Sequence, residues 1–230
     1  MTFATIEHAL EQLRSGRPVL VLDDEDRENE GDAILAAELA SPQWVGWMVR
    51  HTSGYLCAPM EDTRADRLGL PLMWSANTDP LRTRYTVSVD AATSTTGISS
   101  VERAATTRAL ADPRTTSADL IRPGHVLPLR ARDGGVLTRR GHTEAAVDLT
   151  RLAGLQAVGL IGEIVHDDGT CARTPDVLAL GQAEGLDVIT IESLANWRRS
   201  HEEQPTATTP GSSTTRVSPT VSAQLPTRHG

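Results

Sequence analysis

The chain has 230 residues, a formal net charge of −8, 39% hydrophobic and 23% charged residues, the balance expected of one soluble domain with a sizeable core. The acidic excess argues against nucleic acid as a partner, and no apolar run approaches the roughly 20 residues that span a bilayer. The N-terminal segment lacks the basic and apolar regions of an export signal, so the two cysteines, Cys57 and Cys171, are expected as reduced thiols in a cytoplasmic protein.

Aromatic residues make up only 3% of the chain, so the core must be built from Leu, Val, Ile and Ala. Ile6, Leu10 and Leu13 recur at helical spacing, and Gly16 and Pro18 supply a stop. Val19–Leu22 then reads as a buried strand. It runs into Asp-Asp-Glu-Asp-Arg-Glu-Asn-Glu-Gly-Asp at 23–32, where seven carboxylates and one arginine leave a charge of −6. Repulsion that dense requires solvent, pairing or a bound cation. A solvated acidic turn and a metal or catalytic loop are even readings on spacing alone, and Gly31 predicts a sharp turn of the backbone.

Ser41-Pro42 is an N-cap followed by a first-turn proline, which predicts a helix over 43–51 that ends near Gly54. Residues 55–58 read as a short strand, 61–68 as a polar-faced helix, and 74–84 as a loop. Alternation over 85–90 predicts a half-buried strand. Ser99 and Glu102 have capping-box spacing, opening a helix over 101–110. Arg122-Pro-Gly-His125 reads as a turn before a strand over 126–131. The segment 138–144 leads into an Ala/Leu-rich helix that Gly154 ends. A buried strand over 157–164, a helix over 177–184, a strand over 188–191 and a last helix toward Glu203 complete the pattern. Beyond Gln204, Thr, Ser and Pro dominate without an apolar period, which predicts a disordered tail over 204–230 after a single domain at 1–203. Strands alternating with helices predict a three-layer α/β/α domain with a mixed sheet.

Few residues in this pattern carry chemistry. Glu163 is a carboxylate in an apolar strand; it is either a structural ion-pair partner or a proton carrier whose pKa burial would raise. His142 and Thr143 stand where a glycine-containing loop enters a helix, with Arg139 three residues upstream, an arrangement that suits an anion. Thr95-Thr-Gly-Ile-Ser99 has the same loop-to-helix form, though capping alone accounts for Ser99. His125 and Asp167-Asp168 read as structural, and Cys57 as a small buried hydrophobe. Neither a zinc-finger spacing nor a Gly-x-Ser-x-Gly, dinucleotide or P-loop motif occurs. The inventory fits a hard divalent cation and a phosphorylated polyol, without choosing between isomerase, aldolase and lyase.

Seven segments, in order, resemble 3,4-dihydroxy-2-butanone-4-phosphate synthase of riboflavin biosynthesis: residues 23–32, Arg50-His-Thr-Ser-Gly54, Thr95-Thr-Gly-Ile-Ser99, Arg122-Pro-Gly-His125, Gly134-Gly-Val-Leu137, Gly141-His-Thr-Glu-Ala145 and Asp167-Asp-Gly-Thr170. The resemblance covers roughly residues 5 to 203, the whole expected domain. The resemblance implies conversion of D-ribulose 5-phosphate to L-3,4-dihydroxy-2-butanone 4-phosphate plus formate, dependent on Mg²⁺ or Mn²⁺ with two ions per site, in a homodimer with interfacial active sites. It further implies Glu28 and His142 as metal ligands. Arg27, Glu28, Asp32, Thr96, Arg139, Arg140, Gly141, His142 and Thr143 would bind substrate, and His125, Glu163 and Asp32 would serve catalysis. Asp23 to Asp26 remain as scaffold or solvated turn. Arg140 departs from the Gly or Pro common in the family, and His166 from its Asn. A paralogue acting on another sugar phosphate and a non-catalytic sugar-phosphate binder are the alternatives. The GTP cyclohydrolase II domain that many relatives carry is not expected here, where only the Ser/Thr/Pro segment follows.

Overall fold

Along β1 (Val19–Leu22) successive side chains enter opposite cores: Val19 and Val21 join one, Leu20 and Leu22 the other. A strand covered on both faces must lie inside a layered sheet. The computed structural model describes residues 3–202; the tail expected at 204–230 lies outside the described residues. Among the described residues the chain forms one seven-stranded mixed sheet in the order β4-β5-β3-β6-β2-β1-β7. The remaining strands are β2 (Gly31–Ala36), β3 (Cys57–Met60), β4 (Val89–Ala91), β5 (Leu120–Arg130), β6 (Gly159–Glu163) and β7 (Val188–Thr190). Pairs β1–β7 and β3–β5 are parallel, and β1–β2, β2–β6, β3–β6 and β4–β5 antiparallel.

Helices cover both faces, as the strand–helix alternation predicts. On one face α1 (Ile6–Arg14), α5 (His142–Leu152) and α7 (Ile191–Glu202) pack Leu10, Leu149 and Leu194 against Val21 and Ile34. On the other, α2 (Pro42–His51), α3 (Asp62–Arg67), α4 (Ser100–Ala111) and α6 (Thr174–Glu184) place Met48, Ala65, Leu110 and Val177 against Leu20 and Leu35. Ser41 caps α2 through the Trp44 N–H at 3.2 Å, and Ser99 caps α4 through the Glu102 N–H at 3.2 Å. No helix among the described residues is long and apolar enough to cross a membrane.

Three local expectations change. The central strand β2 is absent from the sequence reading because Gly-Asp-Ala-Ile-Leu-Ala is buried at every position; it therefore shows no alternation and is poor in β-branched residues. Gly31 does not turn the chain. It lies in β2, where a Cβ would stand 2.7 Å from Val177, so its role is close packing against α6, and the left-handed residue of the loop is Asn29 (φ 54°). Residues 122–125 are not a turn but the first half of β5, with a cis Arg122–Pro123 bond. A side chain at Gly124 would collide with the Val89 backbone of β4, which is why glycine stands there.

Candidate active site

The β1–β2 hairpin pairs Val21 with Asp32, and the acidic loop 23–30 closes its end. The loop is organised from within. Asp23 is buried, and its carboxylate accepts the N–H groups of Glu28 (3.0 Å) and Glu30 (2.8 Å) and the guanidinium of Arg27 (3.0 Å). Three donors on one carboxylate offset its desolvation and fix the loop's shape. Asp23 is thus scaffold, while Glu25 and Asp26 are exposed. Arg173, preceding α6, donates to the Glu28 carbonyl (3.1 Å) and to the Asn29 carbonyl, bracing the loop from the other side. Arg27 in turn reaches Glu28 Oε2 at 2.5 Å.

Helix α5 delivers the second wall. Its N-cap is Gly141, which offers no side-chain cap, so first-turn N–H groups remain available to an anion. Glu144 would be the usual residue to reach back and cap. Instead it is buried, accepts the Arg132 N–H at 2.9 Å, and holds Arg139 Nη1 at 2.6 Å. Arg139 also donates to the Leu81 carbonyl (3.0 Å) and to Thr83 (3.2 Å), docking loop 74–84 beside the site.

Asp32, His142 and Glu28 meet between these walls. The His142 Nε2–H donates to the Val21 carbonyl at 3.0 Å, an acceptor with no proton to give, so Nδ1 faces the carboxylates. Nδ1 lies 3.4 Å from Asp32 and 3.7 Å from Glu28. Burial disfavours the imidazolium, but Asp32, Glu28 and Asp23 outweigh it and hold the His142 pKa up at about 9. Burial likewise opposes a charged Glu28, yet His142 and Arg27 bring its pKa down to about 2. Asp32, 2% exposed, is raised to about 7 by burial and by the nearby Glu163, Glu28 and Glu30, against the pull of His142.

Asp32 Oδ1 is buried without a hydrogen-bond partner. One ligand atom each from Asp23, Glu28 and His142 lies within 4.8 Å of the others. An orphaned carboxylate oxygen beside two carboxylates and an imidazole nitrogen is a donor set suited to a hard divalent cation, which would satisfy the oxygen and replace the imidazolium proton.

Of the residues expected from the sequence, Arg27, Glu28, Asp32, Arg139, His142, Thr143 and Glu163 line one cleft. Glu163 is register-paired with Asp32 across β2 and β6. It is the partly exposed last residue of its strand rather than buried mid-strand. Arg140 points away and pairs with Asp24 at 3.3 Å. Gly141 is the N-cap, where a Cβ would strike Arg139.

Thr96 and His125 do not join this cleft. They stand by the β4–β5 edge, where Asp90 binds the His125 N–H (2.9 Å) and Nδ1 (2.8 Å), and Gly97 packs over both side chains. Glu102 accepts from Thr95, Thr96, Gly97 and Ser99, so the Thr96 hydroxyl is already engaged with a carboxylate. Five donated hydrogen bonds, led by the two from Thr95, hold Glu102 at about 2. Glu30, Cys57, Thr83 and Tyr85 line the cleft without having been singled out for it. Burial pushes the Cys57 thiol well up, as befits the small buried hydrophobe its strand position suggests.

A sequence model of 3,4-dihydroxy-2-butanone 4-phosphate synthase matches residues 7–197. The chain is 54% identical over 230 residues to the riboflavin biosynthesis protein RibBA of Salinispora arenicola, covering 100% of this chain and 52% of that protein. It is 50% identical over 229 residues to RibBA of Mycobacterium marinum, covering 98% and 51%. The chain therefore spans about half the length of the curated relatives it matches. Among solved structures, a 3,4-dihydroxy-2-butanone 4-phosphate synthase in complex with two magnesium ions superposes with a TM-score of 0.82 at 44% identity, covering 87% of this chain and 99% of the other. The Candida albicans synthase gives 0.80 at 47% identity, covering 86% and 99%.

Proposed function

The chain belongs to the 3,4-dihydroxy-2-butanone 4-phosphate synthase family, and on that premise we propose that it converts D-ribulose 5-phosphate to L-3,4-dihydroxy-2-butanone 4-phosphate and formate in riboflavin biosynthesis. The observation that carries this reading is the convergence of Glu28, His142 and the orphaned Asp32 oxygen with the uncapped end of α5 in one cleft. Glu28 and His142 would hold Mg²⁺ or Mn²⁺; a carboxylate and an imidazole accept either ion. A related synthase carries two magnesium ions, and two per site are proposed here. The ion would supply Lewis-acid polarisation of the sugar's carbonyl and hydroxyl oxygens.

The chain's own residues account for the rest. The first turn of α5 with Thr143 and the Arg139 guanidinium form a cationic seat for the phosphate. Arg27 spans the opening from the acidic loop. Asp32 and Glu163 share the proton transfers: enolisation beside a ketone needs a base, and Asp32, a carboxyl near neutrality, can both take and return a proton. Closure by the acidic loop would keep water from the later skeletal migration and loss of one carbon.

His125 and Thr96 fit the same reaction when a second copy completes the site. The exposed apolar side chains Ile98, Val101 and Ile121 lie within a few residues of Thr96 or His125 in sequence, as a face covered by a partner requires. A homodimer in the cytoplasm, acting on a small sugar phosphate without nucleic acid or membrane, is the resulting picture. Incubation with ribulose 5-phosphate and Mg²⁺ tests it. Formate and the four-carbon phosphate in equal amounts are expected, with loss of both on chelation; no formate from a folded, metal-loaded protein overturns it.

A further inference from the structure

The segment 50–54 has no part in the chemistry above, yet its turn touches the cleft. Helix α2 ends at His51, and Gly54 (φ 72°) reverses the chain toward β3. Thr52 builds the turn: it bridges Ile164 of the β6 end, donates its hydroxyl to the Met48 carbonyl at 2.7 Å, and accepts the Gly54 N–H at 3.2 Å. Ser53 is tied twice to Glu163. Its N–H donates to the Glu163 carbonyl at 2.8 Å, and its hydroxyl donates to Glu163 Oε2 at 2.8 Å.

The direction of that hydroxyl is set by a third group. The Tyr55 N–H donates to Ser53 Oγ at 3.3 Å, which occupies the acceptor side of the oxygen and leaves its proton for the carboxylate. This is the one hydrogen bond made by the Glu163 carboxylate among the described residues. It fixes one oxygen and leaves Oε1 as the oxygen for substrate. A glutamate at a strand end has three rotatable side-chain torsions, and one charge-assisted bond selects among their rotamers.

We propose that Ser53 is a positioning residue of the reaction, holding the Glu163 carboxylate in its working orientation through the Oγ–Oε2 hydrogen bond. The inference rests on the reading of Glu163 as a catalytic carboxylate. It differs from a structural role because the turn's buried bonds belong to Thr52, and the Ser53 backbone bond to Glu163 survives removal of the hydroxyl.

Three variants in the full chain with Mg²⁺ test it. Ser53→Ala is expected to lower kcat by on the order of tenfold, the worth of one hydrogen bond to a charged group near solvent, with KM within about twofold. Ser53→Thr, which keeps the donor, restores kcat to within about threefold of the parent. Thr52→Val loosens the same turn, so it lowers the melting temperature but leaves kcat within about twofold. A Ser53→Ala enzyme with unchanged kcat, or a Thr52→Val enzyme that loses as much kcat, overturns the proposal. Glu163→Gln separates the two levels. If it is inactive while Ser53→Ala is unimpaired, only the Ser53 inference falls; if it retains full turnover, the Glu163 reading falls and takes Ser53 with it.

Discussion

Two of the three histidine–aspartate pairs among the described residues are wired in opposite senses. His142, its side chain 6% exposed, gives its Nε2–H to a backbone carbonyl and turns Nδ1 toward Asp32 and Glu28. His125, its side chain 41% exposed, gives Nδ1 to a single buried aspartate, Asp90, and presents Nε2 outward. A ring nitrogen facing several carboxylates in a closed site is placed to join them on a cation; one facing solvent, with its tautomer fixed from behind, is placed to exchange protons with something this chain does not bring to it. The central strands hold the first arrangement and the β4–β5 edge holds the second, so under the proposed function one chain would supply the cation ligands and its outlying histidine would serve a neighbouring copy.

Removing a cation ligand should give the largest effect. Glu28→Gln keeps shape and burial but replaces the charged group, so turnover should fall about a thousandfold or more with the melting temperature of the metal-free protein little changed. Formate release and isothermal titration with Mg²⁺ check this together, and full activity would remove Glu28 from the cation site.

His125→Ala should cost about a hundredfold, the scale of one acid–base group. The sharper test is complementation. Glu28→Gln and His125→Ala homodimers are each defective, but a heterodimer holds one site with both residues intact if the site spans two chains. Co-expression with two tags should restore about a quarter of parental activity from a statistical mixture. Activity that stays at the level of the separate variants would place His125 outside the neighbour's cleft.

The His142–Asp32 pair also responds to pH. His142 is raised to about 9 and Asp32 to about 7 in the metal-free fold. Both values lie above those of an unfolded chain, so the native state holds the extra protons. Asp32 thus contributes stability that is complete below about pH 4 and lost as pH rises to 7, and His142 a contribution complete below about pH 6.5 and lost by about 9. A divalent ion competes with those protons, so Mg²⁺ should raise the melting temperature more at pH 9 than at pH 6. His142→Gln should flatten that difference, whereas His125→Gln should leave it intact. Thermal melts with Mg²⁺ or chelator measure both.

How much of this was legible beforehand depended on whether neighbours in sequence are neighbours in space. Helices α1, α2 and α4 were readable because Leu10, Ser41-Pro42 and Ser99 carry their signals locally. The acidic loop stood out because its charges are contiguous, although that pattern alone left a solvated turn and a cation site as even readings. Strand β2 was not, since burial on both faces erases alternation, and it carries Asp32 into register with Glu163, a pairing across 131 positions of sequence that no local pattern encodes. Gly31 and Gly124 announced turns and instead permit close packing, which depends on what α6 and β4 bring near them. His125 and Thr96, carried over by resemblance, sit apart from the cleft within one chain; a residue that served a neighbouring copy would carry no mark of it in the sequence of one subunit.

The smallest effect is expected at Arg140, which the family pattern placed with the substrate. Its guanidinium meets Asp24 at 3.3 Å, with both side chains about one-third exposed, on the outer side of the acidic loop. Pairs this open, after screening, stabilise by at most about 1 kcal/mol. Arg140→Gly should therefore change KM for ribulose 5-phosphate by less than about threefold and leave kcat unaltered. Raising salt from 50 to 500 mM should abolish even that difference, because an exposed ion pair is screened while a phosphate seat built from Arg139 and the α5 terminus is partly shielded. A tenfold rise in KM would mean that Arg140 leaves Asp24 and turns into the cleft when substrate arrives, and the acidic loop would then be released by the very residue that now tethers it.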